Sequence, residues 1–157
     1  MAASTLLERS VEAPDPGATS ALGHALARAA RPGDLVCLWG DLGAGKTHLA
    51  KAIGAGLGVR ETINSPSFIL MAEYAGRMPL FHIDLYRLAD AGDVLAGGLI
   101  DDRQASGLTL VEWPDRMAAV LPTERLDVRI DGSGDAPRTI TVRAGSPALA
   151  RYLDELR

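Results

Sequence analysis

The stretch Leu35 to Ala50, LVCLWGDLGAGKTHLA, restricts the possible folds more than any other part of this 157-residue chain. Leu35 to Trp39 is a continuous apolar run, the pattern of a strand buried on both faces, whereas Leu49, Ala50, Ile53 and Leu57 recur at helical spacing. Between them Gly40-Asp41-Leu42-Gly43-Ala44-Gly45-Lys46-Thr47 fits G-x-x-x-x-G-K-[ST], the Walker A pattern, at every position. A strand, a glycine-rich loop and a helix in that order form the context that a phosphate loop requires. Glycines take backbone conformations closed to other residues, so successive N–H groups can point inward at phosphate oxygens, reinforced by the positive end of the helix. Lys46 is then expected to reach the β and γ phosphates of a nucleotide, and Thr47 to place its hydroxyl on Mg2+. Asp41, Leu42, Gly43, Ala44, Gly45, Lys46, Thr47 and the adjoining His48 are the expected nucleotide-binding stretch, with no catalytic role given to His48. Of the 16 basic side chains only Lys46 and Lys51 are lysine, so a chain that otherwise uses arginine has a compact ammonium where the loop needs one.

The length predicts a single domain over residues 1–157, one that buries roughly two thirds of the surface its unfolded chain exposes. Cys37 lies inside the apolar strand and reads as a small buried hydrophobe. The start, MAASTLLERS, lacks a basic segment followed by a long apolar core, and no run approaches the roughly 20 apolar residues of a membrane span, so a cytoplasmic protein is expected. The net charge is −4, and no segment concentrates Lys and Arg as a phosphate-backbone binding surface does. A nucleic-acid role is therefore expected to pass through a partner.

Along the chain, Thr5 to Val11 reads as a first strand, and Leu22, Ala25, Leu26 and Ala29 share one helical face. Pro32-Gly33-Asp34 ends that helix. Phe68 to Tyr74 and Leu80 to Tyr86 are expected to pair as a hairpin across AGRMP. A helical segment over Ala89 to Leu99 leads to an apolar strand, Leu108 to Val111. RLDVRI and RTITVR alternate apolar and polar residues on either side of DGSGDAP, a second hairpin, and Ala148 to Leu156 reads as a closing helix. Strands alternating with helices predict a three-layer α/β fold like that of P-loop nucleotide hydrolases, with a mainly parallel central sheet and antiparallel hairpin additions.

Hydrolysis needs carboxylates as well, to hold Mg2+ through water and to orient an attacking water. LFHIDLYR places Asp84 at a strand end, and LTLVEWPDR does the same for Glu112. An acid at the carboxyl end of a buried strand points into the crevice where open α/β sheets bind ligands. Glu112 is assigned to Mg2+ and Asp84 to water, with the two roles interchangeable at this stage; helix capping or pairing with Arg87 or Arg116 is the structural reading of either acid. In INSPSF, Ser65 and Ser67 offer hydroxyls that can sense a terminal phosphate or bond within their own turn.

Four stretches in this order, GDLGAGKT, SPSF, HIDLYRL and VEWPDR, resemble the TsaE family of small bacterial ATPases. The resemblance runs from Thr19-Ser20-Ala21-Leu22-Gly23, similar to a T-x-x-L-G segment, through Arg129. HIDLYRL and VEWP are its specific parts, since many families share the loop. It implies that Lys46 and Thr47 bind phosphate and Mg2+, that Asp84 and Glu112 are essential to hydrolysis, and that Trp113 lies close to the nucleotide. Ser67 stands where the family usually carries Thr, which keeps the hydroxyl and loses a methyl. GGLIDDRQASG matches the family's acidic loop only loosely. The resemblance further implies work with TsaB and TsaD, in which TsaD transfers a threonylcarbamoyl group to tRNA and ATP hydrolysis keeps the complex turning over, so that tRNA is met only through the complex. A small-molecule kinase built on the same loop is the main alternative, with Asp84 and Arg87 holding an acceptor alcohol. A GTPase fits less well, because its N-K-x-D motif needs a lysine after Lys51 and the chain has none. A binding module gated by nucleotide is the third reading.

Overall fold

The computed structural model of the chain describes residues 7–41, 43–63, 71–86 and 102–156. In order, the elements are β1 (Glu8–Ala13), α1 (Pro16–Ala29), β2 (Leu35–Trp39), α2 (Lys46–Gly56), β3 (Met71–Tyr74), β4 (Leu80–Asp84), β5 (Leu108–Glu112), β6 (Leu126–Asp131), β7 (Arg138–Ala144) and α3 (Arg151–Asp154). The start of α1 follows from its sequence: the Asp15 side chain accepts from the Ala18 N–H at 2.8 Å, and Pro16 occupies the first turn, where a missing N–H costs nothing. At its other end the Arg77 guanidinium donates to the carbonyls of Ala27 and Ala30.

The strands form one seven-stranded sheet in the order β1-β7-β6-β2-β5-β4-β3. β6, β2, β5 and β4 run parallel and adjacent, while β1–β7, β7–β6 and β4–β3 pair antiparallel. Parallel and antiparallel pairings are thus equal in number, and the sheet is mixed rather than mainly parallel. Both expected hairpins are present, and they supply two of the antiparallel pairings. The third comes from β1 joining β7, a pairing between the two ends of the chain that no local pattern announces.

Alternation along each strand divides the core in two. Val36, Leu38, Leu108, Leu110, Leu126 and Val128 join the main cluster with Leu22, Leu26, Leu49, Ile53 and Leu57 from the two long helices. Cys37, Ile83 and Val111 form a second cluster with Leu85, on the other side of the sheet. All four helix-face residues expected of α1, and all four expected of α2 and its end, are buried. Burial pushes the Cys37 thiol from 9.0 up to about 12, so it is an inert part of the strand.

Some boundaries differ from expectation. The first strand is seen at Glu8–Ala13, where it pairs with β7 from Glu8↔Arg143 to Ala13↔Arg138 and so runs two residues past the expected end at Val11; Thr5 and Leu6 lie outside the described residues. β4 ends at Asp84, because the Asp84 side chain turns back to accept from the Tyr86 N–H at 3.0 Å and so bends the chain out of the sheet. The closing helix is split: Pro147 opens a 3-10 turn, Pro147–Ala150, before the single α-turn of α3. The segment Ala89 to Leu99, and Phe68 to Leu70 of the first hairpin, lie outside the described residues. Among the described residues no helix is long and apolar enough to cross a membrane.

α1 and α2 touch where glycine permits it. A Cβ on Gly23 would stand 2.4 Å from the Ala52 Cβ and 3.1 Å from the Ala52 and Ile53 backbone, and one on Gly56 would stand 2.5 Å from the Ala27 Cβ. Neither contact can be relieved by a flexible side chain. Gly23→Val therefore forces the helices apart, with an expected loss on the order of 3 kcal/mol and a fall in Tm of roughly 10 °C in thermal unfolding. A variant that melts with the wild type contradicts this close packing.

Candidate functional site

The glycine-rich loop leaves β2 at Trp39 and enters α2 at Lys46. Gly40, Gly43 and Gly45 hold φ values of 153°, 83° and 109°, where side-chain-bearing residues are strained, and Gly45 caps α2 in the left-handed conformation. A Cβ on Gly40 would also stand 2.8 Å from the Ile130 carbonyl oxygen of β6. Asp41 and Gly43 are exposed, Ala44 is buried, and Leu42 lies outside the described residues.

Lys46 is 5% exposed, and its ammonium curls back over the loop, donating to the carbonyls of Gly40 and, at 3.0 Å, Asp41. The Trp113 ring lies beneath it, with 3.9 Å from Nζ to the ring centroid. Trp113 reaches that place through a left-handed backbone, φ 59° and ψ 49°, directly after β5, and its ring also meets Tyr86 at 4.9 Å between centroids. Burial lowers the Lys46 pKa below 10.5, against the opposing fields of Glu112, Asp115, Asp41 and Asp84. One desolvated cation thus stands among four carboxylates.

Parallel pairing sets the two strand-end acids side by side: Asp84 of β4 is in register with Glu112 of β5, and β2 joins the other side of β5 through Leu38↔Glu112. Because residues in register on parallel strands share a face, both acids lie on the side of the sheet that carries α2. Glu112 is 2% exposed. Its carboxylate accepts from the Thr47 hydroxyl, 3.0 Å to Oε1, and from His82 Nε2, 2.6 Å to Oε2. Asp84 is half-buried at the mouth of the site.

Residues forecast from sequence therefore converge: Lys46, Thr47, Trp113 and Glu112 meet at the first turn of α2, with Asp84 in register beside them. His48 turns aside, its Nε2 within hydrogen-bonding distance of Ser20 Oγ (3.0 Å) and the Pro16 carbonyl (3.1 Å) on α1. Arg116 donates to the Tyr86 carbonyl at 3.3 Å. Arg87, Ser65 and Ser67 lie outside the described residues.

Among the described residues, two further side chains touch this arrangement without being singled out by the sequence. His82 is fully buried against Glu112, and a signal for it existed, since period-two alternation puts His82 on the same face as Asp84. Arg138, from β7, donates through Nε to the Ala44 carbonyl at 2.8 Å and through Nη2 to that of Gly43 at 3.4 Å, and also reaches the Ala136 and Gly134 carbonyls of its own hairpin. Nothing in the local pattern of RTITVR marks it.

Beside the loop a hollow of about 380 Å3 is lined by Ala44, Gly45 and His48 together with Thr19 of α1 and Asp135 and Arg138 of the β6–β7 hairpin.

Fold and site together define a mixed α/β protein whose glycine-rich strand-to-helix loop faces two acids at the carboxyl edge of its parallel strands. The family model described as threonylcarbamoyl adenosine biosynthesis protein TsaE matches residues 13–140. Proteins named tRNA threonylcarbamoyladenosine biosynthesis protein TsaE are similar to the chain in Bacillus subtilis, 42% identical over 90% of this chain and 89% of that one, and in Treponema pallidum, 38% identical over 79% and 92%. The crystal structure of Bacillus subtilis YdiB superimposes with a TM-score of 0.80 at 35% identity, covering 95% of this chain and 93% of that one. The chain belongs to the TsaE family, whose role lies in tRNA threonylcarbamoyladenosine biosynthesis.

Proposed function

We propose that the protein is a Mg2+-dependent ATP hydrolase of P-loop type, and that hydrolysis supports turnover of a TsaB and TsaD complex that modifies tRNA. The observation that carries this reading is the 3.0 Å bond between the Thr47 hydroxyl and Glu112, which joins the first turn after the loop to a strand-end acid. A hydroxyl and a carboxylate are hard oxygen donors, the set that suits Mg2+, and the four carboxylates around Lys46 make the site attractive to a dication. Thr47 and Glu112 would hold the ion, which supplies charge neutralisation for the β and γ phosphates when bound. The loop N–H groups and the Lys46 ammonium bind and orient the phosphates. Asp84, at the mouth of the site, orients the attacking water by accepting its hydrogen bond. Trp113 supports the Lys46 ammonium from below and excludes water from it. The 380 Å3 hollow has the size of a nucleoside site and adjoins the loop at Ala44 and Gly45, so the base and ribose are assigned to it.

The test is steady-state phosphate release from ATP by the purified protein, alone and with TsaB and TsaD. A slow basal rate that rises sharply with both partners is the expected result. A rate indifferent to them removes the coupling and favours the kinase reading, to be followed by a screen of alcohol acceptors.

A further inference from the structure

Of the buried polar groups at the carboxyl edge of the sheet, His82 is the one to which neither the loop pattern nor the assigned acids give a task. It sits on β4 between Leu80 and Asp84, facing the helix side of the sheet, with none of its surface exposed. A His to Glu112 distance of 2.6 Å between two side chains this deeply buried is short and strong. A carboxylate oxygen only accepts, so the imidazole donates from Nε2. The other ring nitrogen, Nδ1, is buried and has no hydrogen-bond partner among the described residues. The hydrogen that the geometry requires is therefore the one on Nε2, facing Glu112. The consequence falls on Glu112. Oε2 is held by His82, and the Thr47 hydroxyl, 3.0 Å from Oε1 and 3.4 Å from Oε2, makes its shorter bond to the oxygen that His82 leaves free.

We propose that His82 is a positioning residue: its Nε2–H pins one oxygen of Glu112 so that the other faces Thr47, where a divalent cation is to be held. The proposal rests on the reading of Glu112 as a metal-holding residue. It adds that the orientation of this carboxylate is fixed from within the sheet before any ligand arrives. Histidine suits the task because its ring N–H donates one directed bond to the carboxylate from a side chain held rigidly within the strand.

The experiment measures Mn2+ binding in the presence of saturating ADP, by the electron paramagnetic resonance signal of free Mn2+, for wild type, His82→Leu, His82→Gln and Glu112→Ala. Affinity for ADP in EDTA and thermal unfolding are measured in parallel. His82→Leu is expected to weaken Mn2+ by about tenfold or more while leaving metal-free ADP binding unchanged. His82→Gln, whose amide can present an N–H near the same point, is expected to recover most of that loss. If Glu112→Ala weakens Mn2+ and a folded His82→Leu does not, the positioning role is overturned while the reading of Glu112 stands. If Glu112→Ala itself binds Mn2+ like the wild type, the reading of Glu112 fails, and the proposal with it. Should the leucine variant not fold, 15N spectra of histidine-labelled wild type decide the matter, because Nε2–H is required and the Nδ1–H tautomer contradicts the proposal.

Discussion

Glu112→Ala is expected to lower ATP hydrolysis at least about a hundredfold, roughly 2.7 kcal/mol of barrier, while ADP still binds. In the proposed reading the loop backbone and Lys46 grip the phosphates without help from this carboxylate, so affinity is expected to survive. What disappears is the carboxylate that bonds Thr47 and that, in the proposed reading, meets the metal's charge. The substitution also strands a buried N–H on His82, so a loss of about 1–3 kcal/mol in stability accompanies it. Glu112→Gln separates the two effects, since an amide fills the same space and can still accept from His82 but carries no charge. Phosphate release and ADP affinity measured on both variants check the expectation. A glutamine variant that turns over at the wild-type rate would remove Glu112 from the reaction altogether.

Lys46→Ala is expected to act on the other side of the ledger, weakening MgADP by about a hundredfold, roughly 3 kcal/mol, with little change in Tm. The buried ammonium is expensive to keep in the folded protein without ligand, as its lowered pKa shows, and its partners there are two carbonyls and an indole ring. Removing it gives up those contacts and the desolvation cost together, so the ligand-free protein scarcely registers the change. In the proposed reading, bound phosphates, by contrast, lose the lysine of the loop. Calorimetric titration with MgADP alongside thermal unfolding decides it. Nucleotide affinity equal to the wild type would show that the phosphates do not sit in this loop.

The parts of this molecule that were legible in its sequence are those set by local chemistry. β2, the loop and α2 follow from an apolar run, glycines at fixed spacing and a helical apolar stripe, and they lie where those patterns put them. The β6–β7 hairpin follows from strict alternation around a glycine-rich turn. The strand-end positions of Glu112 and Asp84 could be read from the same runs. The remainder depends on distant partners. β1 runs two residues past its expected end because its register is dictated by β7, far along the chain. Arg138 matters to the loop only because strand order carries the second hairpin to the side of β2, and a one-dimensional pattern holds no such information. His82 was hidden differently: it was visible within HIDLYR, yet a lone histidine in an apolar strand is usually core, and what sets this one apart is its 2.6 Å distance to Glu112.

Arg138 has an implication for how this chain can be remodelled. Its guanidinium is shared between the carbonyls of Gly43 and Ala44 on one side and those of Gly134 and Ala136 on the other. A protein engineer would regard the 132–137 turn as spare surface, a place to graft an epitope tag or to trim for compactness. Its length and glycine content are instead part of the scaffold of the loop some 90 residues earlier, since Arg138 and Ala44 are 94 positions apart in the chain. The two segments are not interchangeable modules, and a transplant of either into a related backbone has to carry the other with it.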